Sequence, residues 1–93
     1  MKKTATARWM QTATMESLEA RGYATMGAVL KHGGHVLVVG METRGYHAAV
    51  YEFIETPEET GLGSIECRLG LAEAADGLFE DGGHAMAWCM ARI

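Results

Sequence analysis

The stretch from Tyr23 to Ile54 constrains this chain more than any other, because two glycine-bearing turns divide it into three strand-like runs: YATMGAVLK, HVLVVGME and YHAAVYEFI. β-Branched and aromatic residues are frequent in these runs and suit the pleated, half-buried surface of a sheet. Gly33-Gly34 reads as a two-residue hairpin loop, where positive backbone angles cost glycine nothing. Thr43-Arg44-Gly45 reads as a three-residue loop with glycine at the left-handed position. The expectation is a three-stranded antiparallel meander over about 23–31, 35–42 and 46–54.

Turn length fixes register, and register fixes faces. A two-residue first loop sets Leu30 opposite Leu37 and His32 opposite His35, and a three-residue second loop sets Leu37 opposite Tyr51 and His35 opposite Phe53. Alternation then collects Met26, Ala28, Leu30, Leu37, Val39, Met41, Ala49, Tyr51 and Phe53 on a core face. The other face carries Val29, Val36, Val38 and Val50 beside Tyr46, with Lys31, Glu42 and Glu52 at its margin. That mixture is too apolar for an idle surface, so Val29, Val38, Val50 and Tyr46 are expected to dock a partner or close a homodimer.

The flanks read as helix, giving an α+β fold. A helix is expected from about Trp9 to Arg21 with Gly22 as its stop, and Thr12 or Thr14 are alternative caps. Thr56-Pro57-Glu58-Glu59 has the form of a capping box for a single turn. Over 64–80, Glu66, Gly70, Glu73, Gly77 and Glu80 recur at steps of four and three, which predicts a helix; a strand over 64–70 is the alternative, since Ile65, Cys67, Leu69 and Leu71 alternate. Residues 84–93 fit a short helix burying Met86, Met90 and Ile93, or an edge strand. A chain of 93 residues supports one domain, 1–93, with 1–8 as an extended arm. No apolar run approaches the roughly 18 residues of a membrane span, and Lys2-Lys3 leads into Thr, Ala and Arg rather than a hydrophobic segment, so a cytoplasmic location is expected.

Charge is unevenly placed. Residues 1–51 carry a net +3 and residues 52–81 a net −8. Glu52, Glu55, Glu58 and Glu59, with Glu66, Glu73 and Glu80 along one side of the expected helix, form an acidic surface that repels phosphate and attracts basic proteins. Such a surface also serves plain solubility, the commoner role of a charge run.

Candidate site chemistry rests on histidine and cysteine. His32 and His35, facing each other across the first turn, could supply two metal ligands, but no third ligand is announced by spacing; closing the hairpin rim is the commoner use of such a pair. His47 falls at the far end of the same face. Cys67 and Cys89 sit in apolar surroundings typical of buried, reduced thiols rather than nucleophiles. The glycines of GGHVLVVG precede a strand, the reverse of a dinucleotide-binding turn. The sequence thus points to a non-enzymatic protein without cofactor.

Helix, three-strand meander and helix is the order of elements in double-stranded RNA-binding domains, which the chain resembles in topology. Those domains carry a lysine cluster where this chain has GLGSIECR, so nucleic-acid binding is the alternative function. In size, the lone meander, methionine content and the acidic half from Glu52 to Asp81, the chain resembles the small inhibitor proteins of phages and mobile elements of the anti-CRISPR type. That resemblance implies occupation of a basic, nucleic-acid-handling surface on a larger protein.

Overall fold

A computed structural model describes residues 9–54 and 67–93. Its elements are β1 (Thr12–Thr14), α1 (Met15–Ala24), β2 (Ala28–His32), β3 (His35–Glu42), β4 (Gly45–Phe53), β5 (Arg68–Ala74) and α2 (Gly82–Met90). The strands form one antiparallel sheet in the order β1-β5-β4-β3-β2, curled like half a barrel.

The two helices cover opposite faces. On one, Met15 and Leu18 of α1, with Trp9, bury Val36, Val38, Ala49, Tyr51 and Leu69. On the other, Ala85 and Cys89 of α2 bury Leu37, Val39, Ala48 and Val50. The central strands β3 and β4 are therefore apolar on both sides, which accounts for the nearly unbroken hydrophobic runs HVLVV and HAAVY. Each fully buried side chain of the size of Leu37 or Tyr51 contributes on the order of 1.5–3 kcal/mol.

The strand ranges expected for β3 and β4 are close to those observed, and the β2–β3 pairing of Leu30 with Leu37 and His32 with His35 is as expected. The β3–β4 register is not. Glu42 pairs with Gly45 across a two-residue loop, Leu37 faces Val50 and His35 faces Glu52, a one-residue shift from the expected pairing. Gly45 was read as the third residue of the turn; it instead pairs with Glu42 as the first residue of β4, with a positive φ of 154°, and it meets a second need. A Cβ there would lie 2.6 Å from the Phe79 carbonyl oxygen, and Tyr46 and Phe79 exchange two backbone hydrogen bonds of 2.8 Å. One residue of slip exchanges the faces of β4, so the expected core face and valine face are each split between the two real cores.

The expected order of N-terminal helix, three-strand meander and helix over 64–80 is also overturned. A strand precedes the first helix, and β5 lies between β1 and β4 where a helix was predicted. The register shifts between Val50, which pairs with Glu73, and Tyr51, which pairs with Leu71. That bulge inserts a residue into β5 and changes the phase of its alternation, which imitates helical spacing. The likeness to double-stranded RNA-binding topology goes with it, because its second helix is this strand. The capping box at 56–59 lies outside the described residues. At the C-terminus the helix is observed; it buries Ala85 and Cys89, with Met86 only partly covered and Met90 and Ile93 exposed.

The first helix starts and ends later than its Trp9–Arg21 expectation. Thr14 caps it, accepting from the Ser17 N–H at 3.1 Å while the Ser17 hydroxyl accepts from the Thr14 N–H at 2.9 Å. Gly22 is not its stop. It lies inside the helix, where a Cβ would come within 2.8 Å of Val29 Cγ2, so glycine lets α1 approach β2.

Candidate functional site

The valine docking face does not exist as a free surface. Val38 and Val50 are buried, Val38 under α1 and Val50 under α2; Val29 packs against the α1-side core, and Tyr46 against the α2-side core. Glu73 lies in β5, 3.5 Å from Arg92, Glu80 lies in the exposed segment before α2, and Glu52 is exposed at the end of β4. Glu73 and Glu80 thus share no helical side, and Glu55, Glu58, Glu59 and Glu66 lie outside the described residues.

The histidines separate into three settings. His32 and His35 face one another as expected, and no group of three metal-ligating residues occurs among the described residues. His47 lies on the opposite face from them, a consequence of the register shift. It is buried beneath Trp9 with ring centroids 4.8 Å apart, and its Nδ1 is 3.3 Å from Glu42. Gly40, its cross-strand partner, leaves the space its ring occupies: a Cβ at Gly40 would lie 2.4 Å from His47 Nε2. Arg21 stacks over the other part of this cluster, 4.2 Å from the Trp9 ring centroid. The Tyr51 hydroxyl donates to the Met10 carbonyl at 2.7 Å. With Trp9 and His47 this closed to solvent, the cluster is a polar inner seam tying the N-terminal segment to the sheet, not an open binding site.

His84 and Asp81 form an exposed pair at the start of α2. One Asp81 carboxylate oxygen accepts from the His84 N–H at 2.7 Å and lies 2.9 Å from its Nδ1. The backbone bond holds the carboxyl below its ordinary range, and the ring contact in turn raises the imidazole. This is an N-cap with an added ring contact. Burial pushes the Cys89 thiol up to about 11, so it is a poor nucleophile at neutral pH.

The most unusual geometry is at the end of α1. The Gly27 N–H donates to the Gly22 carbonyl at 2.8 Å and the Met26 N–H to that of Tyr23 at 3.2 Å, the bond pair of a Schellman cap. The left-handed position of such a cap is normally glycine, yet here Met26 occupies it with φ 54° and its side chain 76 % exposed. That conformation costs a side-chain-bearing residue roughly 1–2 kcal/mol. Beside it Tyr23 is 91 % exposed. The Thr25 N–H and hydroxyl both donate to the Arg21 carbonyl, and the Thr25 carbonyl accepts from Met41, so the corner is rigid. Along the helix, Glu16, Glu19 and Tyr23 recur at steps of three and four on the solvent side. Sequence reading missed this corner because YATMG was taken for the start of a strand; the signal was Gly27 placed just after an apolar residue following a helix.

The family model of nucleotide modification associated domain 4 matches residues 9–93. The chain belongs to this family. The match spans every described element of the nucleotide modification associated domain 4 fold, from the Trp9 seam to α2. No curated protein and no solved structure matches the chain.

Proposed function

We propose that this domain is a non-catalytic accessory module of a nucleotide-modifying system, and that it works by seating the outer side of α1 and the Tyr23–Met26 corner on a larger protein with a basic contact surface. The observation that carries this reading is Met26. A methionine held in a glycine conformation, with most of its side chain in water, is retained at a cost to stability, and such strain is characteristic of sites where the side chain is needed. Tyr23 beside it is an aromatic anchor on a rigid backbone, the kind of residue that dominates interface energies. Glu16 and Glu19 supply the negative potential that steers association with a basic surface.

Family membership supports the setting, nucleotide modification, and the net charge of −4 argues for a protein rather than a nucleic acid as the contact. Occupying such a surface would block its owner in the manner of the anti-CRISPR-type inhibitors, whereas the family match favours an associated role.

The test is co-expression with the nucleotide-modifying enzyme of the same host. Tyr23→Ser with Met26→Ser should leave the circular dichroism spectrum unchanged and weaken co-purification by at least about thirtyfold, as the loss of one interface hot spot would. Undiminished co-purification would count against the corner, and retention on nucleic acid without the enzyme would count against the protein-binding reading.

A further inference from the structure

The sheet has two edges, and they are treated differently. β1 is only three residues long, a common way of blunting an edge. β2 is five residues long, pairs with β3 without a bulge, and contains no proline. Its one lysine, Lys31, reaches back over the chain's own sheet, with Nζ 5.4 Å from the Phe53 ring centroid, so it does not project from the edge. Among the described residues no strand pairs with the outer side of β2.

The direction of its backbone groups follows from the hairpins. His32 and His35 flank a two-residue loop and so form a hydrogen-bonded pair. The bonds from Phe53 N–H to the Gly34 carbonyl and from Met41 N–H to the Thr25 carbonyl have the same phase, with Gly34 facing β4 and Met41 facing away from it. Ala28, Leu30 and His32 therefore bond to β3, and the N–H and C=O groups of Val29 and Lys31 point outward.

We infer that β2 pairs with β2 of a second copy of this chain, antiparallel and centred on Leu30, to make one continuous sheet. In that register Val29 pairs with Lys31 of the other copy, and all four outward groups of each strand find partners. Centring on Lys31 would set two like charges opposite each other. Centring on Val29 would set Lys31 opposite Gly27, whose N–H is already committed to Gly22. At the two-fold axis Leu30, 42 % exposed, meets its own copy in a non-hydrogen-bonded pair, where side chains are closest. A strand of five residues buries less than the ~1,200 Å² of a standard interface, so the dimer is weak and concentration-dependent.

The experiment is sedimentation of the full chain from low micromolar to submillimolar concentration, with three variants. Wild type should pass reversibly from monomer to dimer. Lys31→Pro removes an outward N–H and leaves the β2–β3 ladder intact; it should weaken dimerisation at least about tenfold with an unchanged circular dichroism spectrum. Leu30→Cys should form a disulfide dimer on mild oxidation, since residues at such a site lie about 4.5 Å apart between Cα atoms. Lys31→Cys, which faces Val29 of the other copy, should not, and the buried Cys67 and Cys89 do not compete. A wild type that is monomeric throughout, a dimer undisturbed by Lys31→Pro, or equal crosslinking of the two cysteine variants would overturn the inference. Tyr23→Ser with Met26→Ser should leave the dimer intact, which separates this outcome from failure of the partner-docking reading.

Discussion

Met26 and Gly27 are neighbours with opposite demands. Met26 tolerates a conformation that glycine would accept freely, so Met26→Gly should raise the unfolding free energy by about 1 kcal/mol while weakening partner binding, an exchange of stability for function measurable by urea titration and co-purification. Gly27 admits no side chain. A Cβ would overlap the Val39 carbonyl oxygen at 1.8 Å, so Gly27→Ala should destabilise by more than about 3 kcal/mol and lower the melting temperature sharply. Two buried acids set the alkaline limit. Burial lifts the Cys89 thiol from 9.0 to about 11 and the Tyr51 phenol from 10.0 to about 12, with Arg21 pulling the latter partly back. In both, the folded chain keeps a proton that the unfolded chain has released. Stability is thus full below about pH 9 and falls between 9 and 11 for the thiol and between 10 and 12 for the phenol. Urea midpoints measured across this range should fall steadily, and Cys89→Ala should remove the earlier part of the decline.

At the scale of elements, local chemistry is the dependable guide. The reciprocal Thr14–Ser17 box makes Thr14→Ala cost about 1 kcal/mol, seen as a lower urea midpoint. Thr14 was among the caps that the sequence offered, and the Gly33-Gly34 hairpin with its His32–His35 pair was fully legible. The β3–β4 register was not, because Gly45, although its φ is positive at 154°, stands after a two-residue turn and also meets a segment more than thirty residues away in the chain, the Phe79 carbonyl. β5 was legible only as the alternative strand over 64–70, since the bulge opposite Val50 and Tyr51 breaks the period of two on which strand recognition depends. Both misreadings come from contacts distant in sequence. Of the docking valines, Val50 changed face with the β4 register, together with Tyr46, whereas Val29 and Val38 kept their expected face and are covered because α1 packs on it. The Tyr23–Met26 corner left a local trace, a helix running past Gly22 into a cap with a non-glycine residue at its left-handed position, and a reading that ended the helix at Gly22 could not find it.

At the scale of the molecule, the two helices close both faces of the central strands. Both cysteines are buried, His47 is sealed under Trp9, and His84 is engaged by Asp81. The side of α1 that runs from Glu16 to Met26 faces outward and is the surface proposed to dock a partner. Because two carboxylates contribute to that surface, association should weaken as salt rises, and Glu16→Lys with Glu19→Lys should slow it while leaving the melting temperature nearly unchanged. No helix among the described residues is long and apolar enough to cross a membrane. The chain as a whole belongs to the nucleotide modification associated domain 4 family. Hydrogen exchange on the complex with the host's nucleotide-modifying enzyme tests the central claim most directly. The account predicts new protection confined to residues 16–27; protection centred instead on α2 and the segment before it, with 16–27 exchanging as in the free chain, would contradict it.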